Sequence, residues 1–144
     1  IRLPKEEITR DDPKPELITF GKWKCELSRD VDTVIVSTGP ITVELKEYII
    51  INNIKTSLYN AIYLKPMDLQ AIYELMKYKK VIIYDVYATE RGFATYLSAK
   101  LAQLGYQGKI IVKSVLDTFV DHATIQEQRN QFNLDFDSLA KLID

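Results

Sequence analysis

Cysteine is almost missing from this sequence. The 144 residues contain one, Cys25, which excludes an internal disulfide framework and fits a reducing, cytoplasmic setting. Histidine is equally scarce, with His122 alone, and no group of ligands stands at the close spacing a zinc site needs. Neither sign of charge dominates: 19 Lys and Arg against 20 Asp and Glu give a formal net charge of −1. Composition therefore offers no electrostatic case for nucleic acid or an anionic membrane as partner. Long hydrophobic runs are lacking too. Tyr48-Ile49-Ile50-Ile51 is far too short to span a bilayer, and Ile1 to Glu7 has no apolar stretch of the kind a signal peptide carries. There is no initiating methionine, internal repeat or low-complexity tract, and the chain reads as a piece of something longer.

What is present is the material of one globular domain. The length allows a real core, and 47% hydrophobic with 27% charged residues is ordinary for such a domain. Residues 1–16 are charged, carry Pro4, Pro13 and Pro15 and show no hydrophobic period, which is linker composition. Residues 17–144 form the domain.

Within it, Leu17 to Leu27 reads as a hairpin turning at Gly21-Lys22, with Trp23, Cys25 and Leu27 on one apolar face. Cys25 is then expected in the core. Thr33 to Ser37 is a nearly continuous apolar run, as in a strand covered on both faces. Thr38-Gly39-Pro40 leads into a helix carrying Ile41, Leu45, Tyr48 and Ile49. Leu58 to Leu64 is the next strand, closed by Pro66, which has no N–H to give to a ladder. Asp68 stands at the N-cap of a helix reaching Lys77. Val81 to Val86 is a third strand, Gly92 to Leu104 a third helix stopped by Gly105, and Lys109 to Val115 a fourth strand. Thr124 and Glu127 form a capping box, Asn133 suits the left-handed end of that helix, and a last helix follows Asp137. Strands alternating with helices predict a three-layer α/β fold: a mostly parallel sheet, helices on both faces, and one antiparallel edge strand or hairpin.

Ligands of open α/β sheets bind beyond the carboxyl ends of the strands. Those ends carry Ser37-Thr38-Gly39, Lys65, Asp85 with Tyr87, Glu90-Arg91-Gly92, and Asp117 through His122. The pattern is compatible with a polar site built from Lys65, Asp85, Arg91, Asp117 and His122, but favours the plainer reading of solvated strand ends. His122 could transfer protons, but no Ser or Cys nucleophile motif accompanies it. Gly92 opens a helix whose amides could hold an anion. A receiver-domain reading fails, because the first parallel strand ends in Ser37-Thr38-Gly39 rather than in the acidic pair that would hold a divalent metal.

Four stretches in register resemble the C-terminal domain of the transketolase family, in its 1-deoxy-D-xylulose-5-phosphate synthase branch. They are Gly21-Lys22-Trp23 followed by Asp32-Thr33-Val34-Ile35, Leu64-Lys65-Pro66-Met67-Asp68, Asp117 through His122, and Asn133-Leu134-Asp135. Ile1-Arg2-Leu3-Pro4-Lys5 resembles the end of that family's preceding, pyrimidine-binding domain, and Arg2 takes the place of an arginine that contacts the substrate phosphate. The chain departs from the pattern at Ile62, at Tyr84-Asp85-Val86 and at Arg91-Gly92-Phe93-Ala94.

The resemblance implies a parent enzyme that uses thiamine diphosphate and magnesium to condense pyruvate with glyceraldehyde 3-phosphate, as a cytoplasmic homodimer. This piece would pack on upstream domains of the same polypeptide. It has no Gly-Asp-Gly motif, so it is expected to hold no cofactor or metal, to supply no catalytic residue and to be inactive alone. Transketolase itself, the β subunit of a 2-oxo-acid dehydrogenase, and a non-catalytic binding or regulatory module on the same scaffold are the other readings.

Overall fold

A computed structural model describes residues 17–143 except positions 90 and 121. In chain order the elements are β1 (Lys24–Leu27), β2 (Thr33–Ser37), α1 (Ile41–Ile51), β3 (Ser57–Asn60), α2 (Leu69–Leu75), β4 (Lys80–Thr89), α3 (Phe93–Gln103), β5 (Lys109–Val115), α4 (Ile125–Gln131) and α5 (Phe136–Ala140). The strands form one sheet in the order β1-β3-β2-β4-β5. β1 runs antiparallel to β3 and the other pairs are parallel. The expected three layers are there. Val34, Val36, Val81 and Ile83 face α2 and α3, with Ile72, Leu75, Leu97 and Leu101 packed on them. Ile35, Leu58, Ile82 and Tyr84 face the other way, beneath Ile41, Leu45 and Ile49 of α1 and Leu139 of α5. Every residue of β2 is buried, because a central parallel strand has a helix layer on each face.

Helix ends follow the local chemistry. Asp68 accepts from the N–H groups of Gln70 and Ala71 at 3.1 and 3.3 Å, capping α2 as its side chain predicts. Thr124 and Glu127 make the capping box of α4. Asn53, Gly105 and Asn133 take positive φ just past α1, α3 and α4. In each case the very next residue closes a six-residue turn: Ile54 N–H to Ile49 C=O, Tyr106 to Leu101, Leu134 to Arg129. Leu134 is a core residue, and Ile54 and Tyr106 are partly buried against the core, so each stop is also a packing contact. The Tyr48 hydroxyl donates to Asp137. That bond, with burial and the nearby carboxylates, pushes its pKa up to about 12 and ties α1 to α5.

Four expectations are corrected. The strand expected over Leu58 to Leu64 runs Ser57–Asn60, so Lys65 stands five residues past its end. The hairpin does not form. Lys22 N–H bonds to Thr19 C=O at 3.1 Å, which puts Gly21, with φ +71°, third in the turn. A positive φ there belongs to a turn that splays its flanks rather than pairing them, so Leu17, Ile18 and Phe20 stay exposed and β1 pairs with β3 instead. Cys25 is exposed, not core. The register shifts between Cys25 and Leu27, and this bulge breaks the alternation: Trp23 packs on the α2/α3 side and Leu27 on the α1 side. The last helix starts earlier, because Asp135 rather than Asp137 caps it, accepting from Ser138 N–H at 2.8 Å.

Asp68 also accepts from Trp23 N–H at 3.0 Å and Lys22 Nζ at 3.2 Å. Burial raises its pKa, but the bonds from Trp23, Ala71 and Lys22 outweigh that and hold it below the usual carboxylate value. A depressed folded-state pKa stabilises the fold above the unfolded value, about 4, and that contribution is lost as pH falls through the folded value. Asp68→Ala is expected to cost about 2–3 kcal/mol at pH 7, a lost cap plus an orphaned buried N–H. Urea denaturation should show this difference shrinking below pH 4.

Candidate functional site

The carboxyl ends of β2, β3, β4 and β5 lie along one side of the sheet. From β2 the chain passes through α1 to β3 on one side, and from β3 through α2 to β4 on the other. The ends of β2 and β4 therefore flank the point where the winding reverses, the place where such sheets leave a crevice. Ser37-Thr38-Gly39 forms one wall. The other is a distortion of β4: Asp85 is opposite Ser114 and Thr89 opposite the next residue, Val115, so Val86, Tyr87 and Ala88 bulge out of register.

Asp85 anchors the bulge. It is 2% exposed, and its Oδ1 accepts from Tyr87 N–H at 3.2 Å. It shares the parity of Val81 and Ile83, so it lies on the α2/α3 face, and its Oδ2 is 3.9 Å from where a Cβ on Gly92 would sit. Tyr87 reaches the other way. Its Oη accepts from Ile41 N–H at 3.1 Å, at the start of α1, where Pro40 is the N-cap and no side chain caps the helix. The ring lies over Gly39: a Cβ there would be 2.9 Å from Cε2, and φ is +75°. Glycine is required on both counts.

Of the residues expected on the rim, the structure brings Arg91 and Asp117 together at 3.0 Å, with side chains 80% and 54% exposed. Such a pair contributes little to stability. Lys65 and His122 are exposed and join this cluster through no hydrogen bond or ion pair among the described residues. Arg2 and Glu90 lie outside the described residues. Arg91 also lines an open groove of about 440 Å³ beside β5, with Thr95, Ser98, Val112 and Ser114. Tyr84 has a role that its place in a strand does not announce. It is fully buried, its hydroxyl donates to Leu134 C=O, and burial raises its pKa, with Arg129 opposing. A phenol inside an otherwise aliphatic strand is the sequence signal for such a bond. The Tyr87–Ile41 contact has no comparable signal, since it depends on the bulge.

Among the described residues no group of three or more His, Cys, Asp or Glu could hold a metal ion. No helix among them is long and apolar enough to cross a membrane.

No family model matches the chain. Among solved structures, a split-gene transketolase described as an inactive β4 tetramer superposes with a TM-score of 0.73, covering 88% of this chain and 42% of its own, at 18% identity. At that identity the likeness establishes the fold, which is that of a transketolase-type α/β domain. In sequence the chain resembles the C-terminal part of 1-deoxy-D-xylulose-5-phosphate synthases. It is 31% identical over 148 residues to the enzyme of Thermotoga petrophila, spanning 99% of this chain. It is 27% identical over 146 residues to that of Parabacteroides distasonis and 25% over 145 to that of Thermus thermophilus. The chain spans 23% of the length of each of these relatives.

Gly39→Ala is expected to destabilise the domain by about 1–3 kcal/mol, from a strained φ and the clash with Tyr87. Arg91→Ala should change stability by less than about 1 kcal/mol. Chemical denaturation of the two variants side by side checks both, and a Gly39→Ala midpoint equal to that of the unmodified chain would refute the Tyr87 contact.

Proposed function

We propose that the chain is the C-terminal, structural and dimer-supporting domain of a thiamine-diphosphate-dependent 1-deoxy-D-xylulose-5-phosphate synthase of the cytoplasm. That enzyme joins pyruvate to glyceraldehyde 3-phosphate with release of carbon dioxide, in isoprenoid-precursor synthesis. The observation that carries this reading is the match over 99% of the chain to synthases of which it spans 23%. That span supports further domains in the same polypeptide, and these would bring the cofactor, magnesium and the acid–base groups. Bound thiamine diphosphate supplies the carbanion chemistry of such an enzyme. The donors present here do not fit its magnesium–diphosphate site: the sequence has no Gly-Asp-Gly, and the described residues offer no metal-binding cluster. No chemical step is therefore assigned to this chain.

Its contribution is packing. Leu17, Ile18, Phe20, Leu64, Leu69 and Tyr73 are exposed, and Phe20 stands edge-on to Tyr63 at 5.2 Å, an apolar surface suited to an upstream domain or second subunit. Arg2 would contact the substrate phosphate, where a guanidinium can make paired bonds. Lys65, Asp85, Arg91, Asp117 and His122 would be rim residues. The split-gene transketolase, described as an inactive tetramer, supports a reading in which this fold assembles without turnover. Its fold also keeps transketolase as the second reading.

The full-length parent, given thiamine diphosphate, magnesium, pyruvate and glyceraldehyde 3-phosphate, should release carbon dioxide. Silence there with turnover of sugar-phosphate donors would move the assignment to transketolase. In that parent His122→Ala should leave kcat within a few-fold, whereas Arg2→Ala should raise KM for glyceraldehyde 3-phosphate by about tenfold or more. Titration calorimetry of the 144-residue chain with thiamine diphosphate and magnesium should give no binding heat, and clear saturable heat would overturn the structural role.

A further inference from the structure

Two hydroxyls at the switch point have no hydrogen-bond partner among the described residues. Ser37, the last residue of β2, and Thr42, in the first turn of α1, are fully buried. Neither Ser37 Oγ nor Thr42 Oγ1 has a hydrogen-bond partner among the described residues. Ser37 shares the parity of Ile35, which packs under α1, so both hydroxyls lie on the α1 face of the sheet, at the end where that helix begins. Buried polar groups are nearly always paired, and an orphan asks for an explanation.

The neighbouring helix N–H is satisfied in an unusual way. Ile41 donates to the phenol oxygen of Tyr87 at 3.1 Å, although Tyr87 comes from a different strand and reaches α1 through the β4 bulge. The phenol oxygen stands where an anion would accept from the first turn of a helix. Tyr87 is 41% exposed, so its ring has solvent to swing into. The charges facing this turn are mixed. Arg129, 17% exposed, pairs with Glu44 of α1 at 3.4 Å, while the Asp85 carboxylate lies on the opposite face of the sheet, toward Gly92.

We infer that the β2–α1 turn is a binding site for a small oxyanion of the phosphate class, with the Ile41 N–H and the Ser37 and Thr42 hydroxyls as donors and the Tyr87 side chain as its cover. The site belongs to this chain whichever parent carries it. Binding requires the cover to leave, so the apparent affinity falls by the fraction of time the site is open.

The test is an NMR titration of the isotope-labelled 144-residue chain with inorganic phosphate at constant ionic strength, following the Ile41 and Thr42 amides. Tyr87→Ala should saturate at phosphate concentrations about tenfold lower than the unmodified chain, because a competing hydrogen bond is gone. Thr42→Val should abolish the saturable shift in both backgrounds. Thermal unfolding supplies a second readout. Thr42→Val replaces an unpaired hydroxyl with a methyl of the same shape, so it should raise Tm without phosphate and cancel the phosphate-dependent rise seen in the unmodified chain. No saturable shift in Tyr87→Ala, a shift that Thr42→Val leaves intact, or shifts confined to exposed lysines would each overturn the inference. Should Tyr87→Ala not fold, the unmodified chain against Thr42→Val decides on the same two readouts.

Discussion

The Asp68 carboxylate is where distant parts of the chain are held to one another. Its two oxygens take the first free N–H groups of α2, the backbone N–H of Trp23 and the ammonium of Lys22, and the side chain is only 6% exposed. Burying a carboxylate is unfavourable unless donors surround it, and here they come from Lys22-Trp23, more than forty residues away in the chain, as well as from its own helix. Trp23, once fixed, sends its indole N–H to Tyr63 C=O at 2.8 Å and meets Phe93 edge-on at 5.8 Å. The chain entering β1, the Lys65-Pro66 turn, α2 and the start of α3 are thereby set relative to one another. Just after β3, Ala61 N–H reaches Ser37 C=O at 2.8 Å, tying this stretch to the end of β2.

The features that could be read from the residues are those whose causes are local. An N-cap needs an oxygen two or three residues before a free N–H, and Asp68 and Thr124 provide it. A left-handed stop needs glycine or asparagine, and Gly105 and Asn133 provide that. The run Thr33 to Ser37 announces a strand covered on both sides by its lack of alternation. What was misread depends on contacts made elsewhere. Gly21-Lys22 has the composition of a hairpin turn, but the strand that could pair with β1 is β3, thirty residues on. A single extra residue, Glu26, then sends Leu27 to the opposite face from Trp23, and nothing in an alternating sequence marks that insertion.

The candidate site was legible to the same extent. Its residues follow from knowing where strands end, so Asp85, Arg91 and Asp117 were named from position alone. Their roles were not. Asp85 is an anchor for the bulge, Arg91 and Asp117 use each other as partners on an exposed surface, and the Tyr87 side chain was placed on the rim without its reach to α1. Register is set by pairing with the neighbouring strand, so a three-residue bulge between Asp85 and Thr89 is invisible until β5 is in place.

The departures from the transketolase-type pattern become intelligible in these terms. Ala94 is fully buried within the α2/α3 core, Val86 packs against the core on the α1 face, and Ile62 is half-buried. Val86 and Ala94 thus put aliphatic side chains into packing, while Arg91 stands in solvent beside Asp117. Ser37 and Thr42, buried and without a hydrogen-bond partner among the described residues, flank the other wall, where the Tyr87 ring lies over Gly39. The bulge thus separates a wall closed by apolar packing from one closed by a single side chain.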